Sequence, residues 1–252
     1  MILRWANTAS LARAETKAFW GGALGGIALS VFLILGGLLL YNSAASYALA
    51  NLNAMTRGGA LDASLLIFTS SLTDLGLLLA LVTPLTTMRS YCDSTCGGYL
   101  DLFLAFPLSP LELAVGRLMS ALSSLFFLTL LGLIPYICLI AMGVGSFSVL
   151  LTSALGLTLL SAAMASLGLA SSSLSSGAMP AALATLGLIG FLWAIGLAAP
   201  YLPAGGGALA QGLAFGPKLS RFTLGLIDLN DVVYFLCLTL AGLFVAAWEI
   251  KK

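Results

Sequence analysis

From Leu118 to Pro217 the chain runs for 100 residues without an Asp, Glu, Lys, Arg or His. No globular core keeps so long a stretch free of charge, and the solvent that tolerates it is a lipid bilayer. A hydrocarbon layer of about 30 Å takes roughly 20 helical residues, so the tract has room for three spans with short turns between them. Transmembrane strands would show alternation over segments of about ten residues, whereas the apolar stretches here are continuous and much longer. Helices, which satisfy their own backbone, are the predicted elements, and the chain is expected to be all-α.

The charge balance removes other classes. A net charge of +1, with only 8% of residues charged, offers no basic face for nucleic acid. Histidine is absent, and with it imidazole metal ligation and the commonest general base. Cys138 and Cys237 fall in predicted spans, where a buried thiol acts as a packing group. Cys92 and Cys96 flank Asp93 in a C-x-x-x-C pair, but a structural zinc site wants four ligands and no second pair is within reach. No metal is expected on this chain alone.

Arg4, Arg13, Glu15 and Lys17 precede a charge-free stretch from Ala18 to Thr56 that is too long for a signal-peptide core. Residues 2–17 are mildly amphipathic and predict an interfacial helix before the first span. Spans are predicted over about 18–42, 63–88, 117–142, 148–171, 180–199 and 231–250, with breaks at Gly143–Ser148 and Ser171–Pro180 marked by turn residues. The glycine-broken stretch 204–230 is too apolar for a loop and too interrupted for a span, and predicts a half-inserted or re-entrant element. One domain, 1–252, accounts for the chain.

Seven cationic residues, Arg4, Arg13, Lys17, Arg89, Arg117, Lys251 and Lys252, fall on one side of this topology and three, Arg57, Lys218 and Arg221, on the other. The positive-inside rule then puts both termini in the cytoplasm. No G-x-x-x-x-G-K-[ST] is present and none of the four lysines lies in a glycine-rich phosphate loop, so the chain is not expected to be an enzyme or to hydrolyse ATP itself. Any driving ATPase would dock on the polar segment 89–112.

That segment and its flanks carry a family likeness. Thr83-Pro84-Leu85-Thr86-Thr87-Met88-Arg89, then Gly97-Gly98-Tyr99-Leu100-Asp101-Leu102 and Pro107-Leu108-Ser109-Pro110-Leu111-Glu112-Leu113, resemble the permeases of ABC-2 type transporters, in their gliding-motility branch. Arg13-Ala14-Glu15 through Phe19, and Gly225 through Phe235 entering the last span, agree with it, so the likeness covers essentially the full length. These permeases usually carry charged residues just after the Met-Arg. Tyr91-Cys92-Asp93-Ser94-Thr95-Cys96 departs from that pattern and implies a less ionic contact.

The resemblance implies a cytoplasmic coupling helix between spans two and three, seated on a separate nucleotide-binding subunit through Tyr91, Asp93, Gly98, Leu100, Asp101, Leu102, Phe103 and Pro107. It further implies two copies of an ABC ATPase subunit that hold the ATP and Mg, a second permease, identical or related, and residence in the inner (cytoplasmic) membrane as an exporter. No cofactor is expected on this chain. The gliding branch implies a membrane partner with an extracytoplasmic domain, and so leaves open an alternative: a membrane anchor or mechanical assembly subunit that moves no solute.

Asp74 lies about eleven residues into the second span, near the midplane, where an unpaired carboxylate is costly. It belongs either to a translocation path or subunit interface, or to a neutralised structural hydrogen bond with Ser70, Ser71 or a neighbouring helix. Gly21, Gly22, Gly25 and Gly26 form overlapping G-x-x-x-G spacings that suit close helix packing. Asp228 and Asp231, with Lys218 and Arg221 nearby, are expected in the outer aqueous phase, to pair or to cap the last helix. An intramembrane aspartyl enzyme would need a second carboxylate at the depth of Asp74, and no predicted span supplies one.

Overall fold

The computed structural model describes residues 5–55, 63–88, 110–143, 145–201 and 203–249. Among the described residues there are nine α-helices and no strand: α1 (Trp5–Gly21), α2 (Ala23–Met55), α3 (Ala63–Thr87), α4 (Pro110–Ala141), α5 (Phe147–Leu174), α6 (Ala178–Ala198), α7 (Ala204–Leu213), α8 (Phe215–Thr223) and α9 (Leu229–Glu249), with a 3-10 turn at Ala199–Tyr201. Six of them, α2 to α6 and α9, are long and apolar enough to cross a membrane. The chain is a polytopic, all-helical membrane protein.

Several boundaries move outward from the sequence expectation. α2 continues from the expected end at 42 to Met55, because residues 43–55 are rich in Ala and Leu and hold neither Gly nor Pro. α4 starts at Pro110, not 117. Proline suits the first helical position, where its missing N–H would be unpaired anyway, and Glu112 in the first turn favours the helix dipole. α5 runs through Ser171 to Leu174: no Gly or Pro interrupts it there, and Ser171, Ser173 and Ser175 turn their hydroxyls back to carbonyls three or four residues earlier, a geometry a helix accommodates.

The turn between α4 and α5 falls where expected and depends on glycine. Gly143 and Gly145 take φ of 87° and 97°, the left-handed region, and a Cβ on Gly145 would lie 2.6 Å from the Phe68 ring. The α1–α2 break has a related cause. A Cβ on Gly25 would lie 2.5 Å from the Phe19 carbonyl oxygen and 3.0 Å from Trp20 Cα, while Gly22 faces the Ala18 carbonyl at 3.3 Å. Of the four glycines expected to admit a helix, these two admit the end of α1. Gly21 and Gly26 meet nothing within 4 Å.

The long helices alternate in direction. Gly36 of α2 lies beside Leu75 and Leu78 of α3, and Ser43 Oγ reaches Ser70 Oγ at 3.5 Å. α5 is the central helix, packed against α3, α4, α6, α8 and α9, with Leu157, Leu160, Ala163, Met164 and Leu169 fully buried. In lipid no hydrophobic force drives helices together, so close packing at small residues carries the association. Gly242 of α9 is the clearest case, since a Cβ there would sit 2.7 Å from the Ser166 carbonyl carbon of α5. At the edges, α2 and α6 expose Ile34, Leu38, Leu183 and Phe191, as lipid-facing helices do.

Cys138 and Cys237 are exposed on this outer surface instead of packing inside it. Each falls on the outward stripe of its helix, beside Ile134 and Ile137 or Val233 and Leu236.

Candidate functional site

The residues expected to meet an ATPase subunit, Tyr91, Asp93, Gly98, Leu100, Asp101, Leu102, Phe103 and Pro107, lie outside the described residues, as do Arg89 and the Cys92/Cys96 pair. Their flanks are described. On one side α3 ends against α5: Gly168 makes room for the Thr87 side chain, and Ser172 Oγ donates to the Met88 carbonyl at 3.4 Å.

On the other side the first turns of α4 are joined to α1. Arg117, 3% exposed, donates from Nε to Glu15 Oε1 at 3.3 Å. Thr16 Oγ1 lies 3.2 Å from Ser120 Oγ and 2.9 Å from Ser123 Oγ, and Leu11 covers Gly116. Burial pushes the Glu15 carboxyl above the usual glutamate range, and the Arg117 guanidinium partly counters it. Arg117, expected at the entrance of a span, is therefore an inter-helix contact within α4.

Asp74 sits half-buried on α3. The Tyr136 hydroxyl of α4 lies near Ser71 and within electrostatic reach of Asp74, while Ser71 Oγ donates back to the Ile67 carbonyl. Tyr136 also stacks edge-on against Phe68, with centroids 5.5 Å apart. The hydrogen bond to Ser70 or Ser71 that the sequence left open for Asp74 is not formed, since Ser70 meets Ser43 and Ser71 turns to its own helix. Among the described residues no ion pair involves Asp74.

The densest charge cluster is elsewhere. α8 folds back so that Leu219 reaches Gly76 in the middle of α3, where Leu160 from the middle of α5 and Trp193 of α6 also converge. This buries its neighbour Lys218 to 8% exposure. Lys218 Nζ donates to Asp231 Oδ1 at 3.0 Å and lies 4.3 Å from the centroid of the Tyr234 ring, a cation–π contact. Tyr234 donates its hydroxyl to the Leu213 carbonyl at 2.6 Å, which ties the end of α7 to α9.

Asp231 is 1% exposed and accepts a second bond, from Arg221 Nη1 at 3.2 Å. Arg221, half-exposed, also donates to Asp228 Oδ2 at 3.1 Å, and Asp228 Oδ1 accepts the Asn230 N–H, which caps α9. The four charges were expected in water. The structure instead buries Lys218 and Asp231, because the fold-back of α8 carries the lysine into the bundle and α9 starts beside it.

Pairing and capping both occur. The signal was in the spacing: two cations three apart, Lys218 and Arg221, then a glycine turn and two carboxylates three apart, Asp228 and Asp231. Among the described residues, no three of His, Cys, Asp and Glu gather as a metal site would require. No protein-family model matches this chain, and no curated protein matches it significantly.

Proposed function

We propose that the chain is the permease subunit of an ABC-2 type transporter, driven by a separate ATPase that binds at residues 91–107. Support comes from the ordered resemblance of its sequence stretches, from the six apolar helices, and from the absence of a phosphate loop in the sequence. The observation that carries the reading is the placement of the Met88-Arg89 to Pro110-Leu111-Glu112 stretch between the second and third of those helices. A segment pushed there bears directly on α3, held against α5, and on α4, joined to α1 through Arg117 and Glu15.

In this mechanism nucleotide binding in the partner supplies the differential affinity between two arrangements of the bundle, and this chain supplies the path and the lever. ATP and Mg stay in the partner, and the positive-inside count puts that partner on the side of both termini, at the inner membrane. Asp74, with Ser71 and Tyr136, is then the polar group nearest a path between α3 and α4.

Purification in mild detergent should bring down an ATPase subunit in equal copy number. Replacing Asp101 with Ala and Leu102 with Lys should abolish stimulation of that ATPase. Unchanged stimulation would sink the assignment. ATP-dependent solute flux in liposomes separates a transporter from a membrane anchor, which would hold the ATPase without flux.

A further inference from the structure

We propose that α8 is a latched plug: it closes the end of the bundle at which α9 begins, and the Lys218–Asp231 pair is the latch that holds it. Three apolar side chains seat the helix. Phe215 and Leu219 are fully buried, and Phe222, 1% exposed, occupies the place a side chain on Gly156 would need. Its last turn is held by hydroxyls, since Thr152 Oγ1 and Ser153 Oγ donate to the Phe222 carbonyl at 3.0 and 3.5 Å. α8 therefore fills a seat formed by α3, α5 and α6, while its ion pairs run to the first turn of α9.

The choice of charge is informative. A well-packed apolar pair would hold two buried helices at least as firmly as an ion pair does. What an ion pair adds is sensitivity to water: its attraction is strong in a dry, low-dielectric setting and falls steeply once the charges are hydrated. Lys218 and Asp231 thus favour two conditions, seated and dry or released and wet, over a gradual loosening. Arg221 differs. Half-exposed and bonded to Asp228 at the helix cap, it keeps α8 tethered to α9 when the inner pair opens.

The latch follows from the geometry of this chain and does not require that a solute be carried. In the permease reading it is the gate at the end opposite the one where α3 ends and α4 begins. Its test reads helix release, not flux, so the two proposals fail separately.

The full chain, with its four cysteines replaced by serine or alanine and Leu219→Cys introduced, is reconstituted and exposed to a membrane-impermeant charged thiol reagent. Labelling should be slow in this background and rise at least about tenfold with Asp231→Asn, which strands the lysine. It should stay slow with Lys218→Met and Asp231→Leu together. If Asp231→Asn does not yield a monodisperse helical protein, Lys218→Met, which leaves the carboxylate with Arg221, takes its place. Equal labelling with and without the charge change, or background labelling as fast as at exposed Leu224→Cys, overturns the proposal.

Discussion

Among the described residues, inter-helix ion pairs stand at both ends of the bundle, and they are built differently. Arg117–Glu15 joins α1 to α4 at 3.3 Å through a carboxylate that is 28% exposed, beside Thr16, Ser120, Ser123 and the Leu11–Gly116 contact. Lys218–Asp231 belongs to a four-residue network with a cation–π contact, and its carboxylate is 1% exposed. At the first, packing and hydroxyls would keep the helices together without the charges. At the second, most of the polar attachment of α8 to α9 depends on one carboxylate, so the same interaction type supports a permanent joint in one place and a releasable contact in the other.

The largest effect should come from breaking the second pair. Asp231→Ala leaves Lys218 buried without a counter-ion and should destabilise the folded chain by about 3–5 kcal/mol, read as a drop in the thermal unfolding midpoint in detergent. A loss no greater than that of Arg117→Met would erase the contrast between the two ends. Next comes Gly242→Val, which forces α9 away from the Ser166 backbone and should cost about 1–3 kcal/mol; an unchanged midpoint would mean that α9 is not packed on α5 through this glycine.

The Glu15 end should show itself through pH. Its carboxyl is pushed up by burial, so the folded state holds the proton more tightly than the unfolded chain does. Its contribution is fully present below the ordinary glutamate value and is lost as pH rises through the raised folded value. The parent midpoint should fall over that window and Glu15→Gln should flatten the fall; parallel curves would remove Glu15 from the explanation. Smallest is Arg221→Gln, about 1 kcal/mol or less, because the half-exposed guanidinium is screened by solvent and Asp231 keeps its bond from Lys218. A larger loss would move the latch from Lys218 to Arg221.

The six spans were legible because a bilayer imposes a length and forbids charge, and the tract from Leu118 to Pro217 records both constraints. Helix ends were less so. The serines from 171 suggested a turn and the first span was ended near 42, yet both stretches stay helical, since neither 43–55 nor 171–174 holds a Gly or Pro to break the backbone and the serine hydroxyls fold back onto their own helix. The depth of Lys218 could not be read from its neighbours, because it follows from where Leu219 docks, on Gly76 far along the chain. Asp74 was found by position alone, and Tyr136, which interacts with it electrostatically, lies on another helix that its own neighbours could not point to.

The length of α2 has a consequence for how the protein meets its membrane. Its 33 residues make a rod of about 50 Å, against a hydrocarbon layer of about 30 Å. Lying wholly within the layer would require a lean of more than about 50°, beyond the range of ordinary spans. The surplus therefore stands clear of the lipid, and the composition says at which end: Asn42, Ser43, Ser46, Tyr47 and Asn51 follow Tyr41, whose ring is 74% exposed at the point where headgroups would begin. The second helix is a mast as well as a span.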